Sequence, residues 1–161
     1  MSVFPKGVVT AVKTALTNAP TLTYVDTVVV MKYSPEVLPD FADYCIIINP
    51  LTVQSEPYPA TQRWHQLELQ LVLLAKMGDR SEEDALLADN PPTNVGMLTM
   101  YEDVYTVLYG NNLGGEIELL PGLSELDHPT VFNVIQDERD TFLIEAQMGY
   151  RPRGVRWVNL S

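Results

Sequence analysis

The residues that could do chemistry are few and lie far apart in the sequence. Neither histidine, His65 or His128, belongs to a paired pattern such as HxxxH or CxxC. A metal centre needs several converging His, Cys, Asp or Glu ligands, so we expect no metal site and no cofactor. His65 alternates with leucines, which favours a hydrogen-bonded core or interface role over a catalytic base. The single cysteine, Cys45, lies in the apolar run 44–48, which predicts a buried and unreactive thiol.

Signatures of nucleophilic and acid–base catalysis are also missing. Ser124 lies in acidic loop sequence, and no GxSxG elbow occurs. The pair Gly114-Gly115 precedes a predicted strand and lacks the lysine of a phosphate-binding loop. Glu116 and Glu118 share one face of that strand, as general acid–base work requires, although an exposed strand edge is the commoner reason for such a pair. We therefore predict that the protein is not an enzyme and has no catalytic residues.

The overall charge restricts the class of partner. The chain has 161 residues, 46% of them hydrophobic, and a net charge of −11. Such a chain can bury a good core as one domain, but it repels a phosphate backbone, so binding in a DNA groove is disfavoured. The start has no signal-peptide pattern and no apolar run reaches a membrane span. We expect a protein that is made and folded in a cytoplasm, with no membrane partner.

The charges are distributed unevenly along the chain. Residues 79–147 hold fifteen acidic residues against two arginines, whereas residues 148–161 hold no acid and three arginines. We interpret the basic C-terminal segment 148–161 as an arm between subunits that meets the acidic face of the next copy. The alternative is that these arginines pair within their own subunit. The arm's candidate interface residues, of types enriched in binding hot spots, are Arg151, Arg153, Arg156 and Trp157.

A long strand is predicted at residues 61–77, and it should position the other elements. Leucines recur there at every second residue, whereas a helix, the alternative for a stretch rich in Leu, Gln and Glu, would place them all round its axis. We expect Leu67, Leu69, Leu71 and Leu73 to be buried within the subunit. The other face, on which Trp64, Gln66 and Glu68 are candidate interface residues, should lose solvent only on assembly.

The preceding segment completes a hairpin. Residues 44–52 predict a strand, and residues 53–60, with two prolines, predict a loop. The second strand of the hairpin would then be longer than the first, and its excess length must pair elsewhere. Tyr58, at the proline-stiffened tip, is a further candidate contact residue.

The remaining elements give the fold class. Pattern and capping residues predict three helices: one at 3–17, a short one that starts at the Ser81 cap, and one at 94–109 with Asn94 as its cap. They predict strands at 21–32, 115–120, 131–135, 141–150 and 154–160, and the last would either extend its predecessor or add an edge. Sequential strands joined by hairpins predict a single α+β domain over 1–161. Its sheet should be mostly antiparallel, with a long hairpin, and packed against two main helices.

This layout resembles the tail-terminator (tail-completion) proteins of long-tailed bacteriophages. The resemblance rests on the order of the elements and on the run Tyr44-Cys45-Ile46-Ile47-Ile48-Asn49-Pro50, followed by the long strand, the helix and the late strand 142–150. It implies a non-enzymatic virion protein of the neck or tail, assembled in the host cytoplasm. Such proteins form hexameric rings that cap the tail tube and dock on the head connector or head-completion protein, and DNA passes through without specific binding.

Other functions fit the same sequence. A head-completion protein of the neck would share the size and the architecture. An acidic interaction module, or an inhibitor that mimics DNA by its surface charge, would bind its partner in a salt-sensitive way. A small enzyme or ligand-binding domain would need a buried polar pocket, for which the sequence offers few polar residues.

Overall fold

A computed structural model gives the architecture. It describes the backbone of residues 6–57, 62–115 and 129–157, and the side chains in these ranges except at 55–57, 62–65, 115 and 153–157. The fold is α+β, as predicted from the order of the elements.

One twisted sheet forms the centre of the described structure. Its strands are β1 (Thr27–Val30), β2 (Tyr44–Pro57), β3 (Gln62–Lys76), β6 (Val131–Gln136), β7 (Phe142–Tyr150) and β8 (Arg153–Trp157). The strand order is β1-β2-β3-β7-β6, and β8 also pairs with β3. Strands β1 and β2 are parallel and all other pairs in this sheet are antiparallel. The two-residue strands β4 (Asp89–Asn90) and β5 (Asn94–Val95) form a separate small hairpin.

The long strand β3 lies in the middle of this sheet. It pairs with β2 on one side, and on the other with β7 over Leu69–Lys76 and with β8 over Gln62–Gln66. Its leucines at period two, Leu67, Leu69, Leu71 and Leu73, are at most 1% exposed. The strand assignment and the burial of these leucines are therefore confirmed.

Two helices cover the face of the sheet that carries these leucines. Helix α1 (Lys6–Asn18) contributes Val8, Val12 and Leu16, and helix α3 (Met97–Leu108) contributes Met97, Met100, Val104 and Leu108. Both sets recur every three or four residues, which places them on one helix face. The prediction of two main helices is confirmed; the third helix, α2 (Glu82–Leu87), has one turn and a half and begins at the predicted Ser81 cap, whose hydroxyl accepts from Asp84 N.

A smaller apolar cluster lies on the opposite face. Cys45, Ile47, Val72, Leu74 and Leu143 are fully buried there. The segment between β1 and β2 covers them with Tyr33, Leu38 and Phe41. The prediction that this face of β3 loses solvent only on assembly was therefore wrong for Val72 and Leu74, because the chain's own connection already excludes water from them.

The hairpin also differs from the prediction. Strand β2 continues to Pro57, and its pairing with β3 runs from Tyr44↔Ala75 to Pro57↔Arg63, so the two strands are nearly equal in length. The register shifts between Pro50 and Thr52. A bulge accommodates a proline that would otherwise break the ladder, which explains why Pro50 does not end the strand.

Two other elements have boundaries that differ from the prediction. Strand β1 spans Thr27–Val30 and not 21–32, because Pro20–Leu22 form a 3₁₀ turn. Helix α3 starts at Met97, with Gly96 and not Asn94 at its N-cap. A Cβ at Gly96 would lie 2.5 Å from the backbone of Leu86, so this position requires glycine. The predicted strand 115–120 lies largely outside the described residues.

Asp26 ties the start of β2 to β1. Its carboxylate accepts backbone N–H groups of Ala42, Asp43 and Tyr44 at 2.9 to 3.0 Å, and the hydroxyl of Thr27 at 2.9 Å. Partial burial would raise the pKa of Asp26, but the backbone donors outweigh this and lower the pKa below its usual range.

Candidate functional site: the distal arm of the sheet

The half of the sheet farthest from α2 narrows to three strands. We call residues 51–57 of β2, 62–66 of β3 and the whole of β8 the distal arm. Strand β1 pairs with β2 only as far as Ile48, and β6 pairs with β7 from Gln147 to Phe142. Among the described residues, the outer edges of β2 and β8 in the distal arm thus have no strand partner. An open edge presents unpaired N–H and C=O groups to which another chain can add a strand.

The predicted C-terminal arm is part of this unit. The backbone of Arg153–Trp157 pairs with Gln62–Gln66 of the same chain, and Leu67 N donates to Pro152 O at 3.0 Å. Of the two outcomes predicted for residues 154–160, strand β8 therefore extends β7 along β3. Because β3 pairs with residues 148–150 and 153–157, the backbone of this segment belongs to the sheet of its own subunit. The predicted contact of its arginines with the acidic face of the next copy stays a prediction.

The structure brings most of the predicted interface residues into or beside the distal arm. The backbones of Trp64, Arg153, Arg156 and Trp157 lie in it: Trp64 pairs with Glu56 and Val155, and Arg63 with Arg156. Their side chains lie outside the described residues, as does the whole of Tyr58. Gln66 and Glu68 are partly exposed, and Glu68 accepts from the Thr52 hydroxyl at 3.2 Å across the hairpin. Arg151 is half-buried at the junction of β7 and β8.

A row of polar side chains crosses the same face beside the distal arm. Asn49 Nδ2 donates to Gln70 Oε1 at 2.9 Å, Gln70 Nε2 to Gln147 Oε1 at 2.9 Å, and Gln147 Nε2 to Glu145 Oε1 at 2.8 Å. Each amide donates toward Glu145, so the carboxylate fixes the direction of the whole row. We call these four residues the polar row. Asn49 and Gln70 lie between Val72 and the distal arm, whereas Gln147 and Glu145 lie on β7 opposite Val72 and Leu74.

Glu145 is the terminal acceptor of the polar row. It also accepts from Asn133 Nδ2 at 3.2 Å and from the Tyr33 hydroxyl. Among the described residues it is the only buried charged side chain, at 2% exposed. Burial raises the pKa of Glu145, and the hydrogen bond from Gln147 opposes this. The Tyr33 contact links the connection between β1 and β2 to the sheet, so these groups hold that cover in place.

A concavity of about 580 Å³ lies at the other end of the sheet, and it contains several acids. Two of its four carboxylates, those of Asp26 and Asp137, accept backbone N–H groups. Asp26 holds the start of β2, and Asp137 Oδ1 accepts the N–H groups of Arg139 and Thr141 at 2.9 and 2.8 Å. The Lys76 amine donates to Phe41 O at 2.8 Å. These groups therefore stabilise turns and strand ends.

Of the cysteine and the two histidines considered for chemistry, Cys45 alone has a described side chain. Cys45 is fully buried, and burial raises the pKa of its thiol to about 12. The side chain of His65 and all of His128 lie outside the described residues. In the described ranges no three His, Cys, Asp or Glu side chains cluster in a way that could hold a metal ion. Likewise, none of the helices described there is long and apolar enough to cross a membrane.

Neither the polar row nor the group of lysines on and near α1 was predicted from the sequence. A signal for the first was present, since Glu145 and Gln147 share one face of an otherwise apolar strand. A signal for the second was the clustering of three of the chain's four lysines, Lys6, Lys13 and Lys32, within its first 32 residues. Neither pattern indicates which residues these side chains will contact, because those residues lie on other strands.

Comparison with known proteins leaves the family open. No protein-family model matches the chain, and no curated protein matches it significantly.

Proposed function

We propose that this protein is a non-enzymatic structural subunit of a bacteriophage neck or tail. In this proposal it forms a homo-oligomeric ring, a hexamer by the family resemblance, that caps the tail tube and joins it to the head connector. The order of the elements resembles that of tail-terminator proteins, and this resemblance supports the proposal. The protein would act in the virion, after assembly in the host cytoplasm.

The observation that carries this proposal is the distal arm. It projects three paired strands with two outer edges that lack a strand partner among the described residues. Its β2 strand exposes Leu51 and Val53 to 45% and 48%. Open edges and exposed apolar side chains are costly in a monomer and are useful in an assembly. The proposal assigns these features to contacts between subunits and with the tail tube.

The charge of the chain is compatible with a ring through which DNA passes. At −11, the protein repels the phosphate backbone. A basic lumen would retain the polyanion by releasing its counterions, whereas an acidic lumen lets it move. DNA is therefore a passenger in this proposal and not a specific ligand.

Mass photometry over a wide concentration range, followed by negative-stain microscopy with and without purified tail tubes, tests the proposal. We expect rings, and ring-capped tubes that no longer lengthen. A compact monomer at every concentration, with no density added to tube ends, would refute the proposal. Genes for portal, head-completion or tail-tube proteins beside this one would support it independently.

The same experiments separate the alternatives. A head-completion protein would bind the filled head and its connector in pull-down assays, and would leave tube length unchanged. An acidic inhibitor would instead bind a nuclease or a DNA-binding protein, with an affinity that falls steeply as salt rises. The exposed acids of α2 suit such a partner, but the open strand edges do not require one.

A further inference from the structure

An apolar groove lies between α1 and the strands at the base of the distal arm. It has a volume of about 620 Å³. Three of its apolar side chains are substantially exposed, Val30 at 40%, Leu51 at 45% and Val53 at 48%. Val9 and Leu67 complete the apolar lining. A groove of this shape suits an amphipathic segment that buries one or two apolar side chains in it.

The rim of the groove is basic on a strongly acidic protein. Lys6 and Lys13 on α1 line it and are exposed, and no acidic residue lies among its described lining residues. Lys32 lies beside it, where its amine donates to Pro50 O at 2.6 Å. Three of the four lysines of a chain with net charge −11 are thus gathered at one place. Such a rim attracts an acidic occupant.

Helix α2 has the complementary character. Glu82, Glu83 and Asp84 are all exposed, and Leu87, one turn after Glu83, is 59% exposed. Arg80, just before the helix, is occupied: its guanidinium donates to backbone oxygens of Lys76 and Val95, both at 2.8 Å. Helix α2 therefore presents acids beside an apolar side chain, and no lysine or arginine in the described ranges forms an ion pair with these acids.

The groove and α2 lie toward opposite ends of the subunit. Leu67 lines the groove, whereas Arg80, just before α2, bonds to Lys76 at the far end of the same strand. Nine residues of a strand span about 30 Å. Two complementary surfaces at opposite ends of one molecule form a head-to-tail contact between copies, and repetition of that contact closes a ring or extends a filament.

We propose that the groove receives helix α2 of a second copy of this chain, with Leu87 against the apolar floor and Glu82 and Glu83 against Lys6 and Lys13. This inference rests on the proposed function, because it supplies the contact that joins neighbouring subunits in the ring. It places the principal charge pairing at α1 and α2, and not at the C-terminal arginines.

Paired charge reversals test the contact. Lys6→Glu/Lys13→Glu makes the groove acidic, and Glu82→Lys/Glu83→Lys makes the helix basic. Each variant alone meets like charge at every contact, so we expect the concentration for half-assembly to rise at least about tenfold at low salt. An equimolar mixture presents opposite charges at every contact between unlike subunits, so it should assemble near the wild-type concentration. Mass photometry with one variant tagged measures both results.

Matched controls place the effect at the groove. Thr14→Glu adds an acid to α1 outside the groove lining, and Glu138→Lys reverses an exposed acid that is not part of α2. Both should assemble like the wild type, and circular dichroism of all variants checks that they fold. Wild-type assembly that neither reversal weakens, or a loss that mixing does not rescue, would overturn the contact and leave the proposed function standing. A wild-type protein that never assembles would overturn both.

Discussion

Replacing Glu145 tests whether the polar row stabilises the fold through its hydrogen bonds or through its charge. Glu145→Ala removes the acceptor for Tyr33, Asn133 and Gln147. Glu145→Gln keeps the shape, and its amide can accept from Asn133 and Gln147 while donating to the Tyr33 oxygen. Both changes remove the buried charge, and the alanine variant alone leaves donors without a partner.

The magnitude follows from which donors stay buried. Asn133 is exposed and can turn to water, whereas Tyr33 and Gln147 are partly buried. An unsatisfied buried donor costs about 1–3 kcal/mol, so Glu145→Ala should lower the free energy of unfolding by about 3 kcal/mol. For a domain of this size that corresponds to a fall in Tm of about 6–12 °C. Glu145→Gln should stay within about 1 kcal/mol of the wild type at neutral pH.

The pH dependence gives a second, independent readout. Burial raises the folded-state pKa of Glu145. The folded protein then binds more protons than the unfolded chain, so stability is greatest below the unfolded pKa of about 4.3 and falls as pH rises toward the folded value. Both variants lack the titrating carboxyl group, so neither should show this fall in stability with rising pH. Urea unfolding of the wild type and both variants at several pH values between 4 and 8 measures the difference.

Two results would refute this reasoning. If Glu145→Ala and Glu145→Gln melt within about 2 °C of each other, the hydrogen bonds to the carboxylate do not stabilise the fold. If the wild type and Glu145→Gln keep a constant difference in stability from pH 4 to 8, the folded pKa of Glu145 is not raised.

Three further predictions concern single positions. Asp26→Asn should destabilise the protein by about 1–2 kcal/mol at pH 7, because the backbone N–H groups of residues 42–44 lose a charged acceptor. Since the folded-state pKa of Asp26 is lowered, the stability advantage of the wild type should be lost as pH falls through that pKa. Urea unfolding at pH 7 and pH 3 measures this, and an equal stability difference at both pH values would contradict it. Gly96→Ala should lower the free energy of unfolding by more than about 2 kcal/mol, since its Cβ would lie 2.5 Å from the Leu86 backbone. Gly78→Ala should lower it by only about 1 kcal/mol, because a Cβ there meets no atom within 4 Å and the strain comes from the φ of +57° alone. Equal Tm values for the two variants would show that α2 and α3 are not closely packed. The Cys45 thiol should resist a thiol reagent at pH 8 in the folded protein and react in denaturant, because burial raises its pKa to about 12; rapid labelling without denaturant would contradict its burial.

The sequence predicts the sheet best where one face of a strand meets a core. The alternating leucines of β3 gave the strand and its buried face correctly, because period two permits one arrangement only. The sequence predicts burial least well where a segment that connects two strands covers the sheet. Val72 and Leu74 share a face with Gln66 and Glu68, and only the path of the segment between β1 and β2 separates the covered half of that face from the open one.

Single residues explain the other differences. Strand β2 was expected to end at residue 52, but it continues to Pro57 after a bulge between Pro50 and Thr52, and a bulge depends on the register of two strands. The N-cap at Gly96 depends on how closely Leu86 approaches, which is a tertiary fact. Of the candidate site, the sequence indicated the strands that form the distal arm. It could not indicate the groove, because Lys6 and Val53 meet only once α1 packs on β2.

The polar row and the groove lie on opposite faces of the sheet and have different roles. On one face, amides from β2, β3 and β7 donate in one direction toward Glu145, so these groups are fixed and are used within the subunit. On the other face, Leu51 and Val53 remain exposed beside Lys6 and Lys13, with groups left for a partner. An assembling subunit needs this combination, since a fixed face orients the arm and an unsaturated face makes the contact. The two sets of variants should therefore act on different quantities: Glu145 variants on unfolding free energy, and lysine reversals on association at unchanged Tm. A lysine reversal that lowered Tm in the monomer as much as Glu145→Ala would contradict this division.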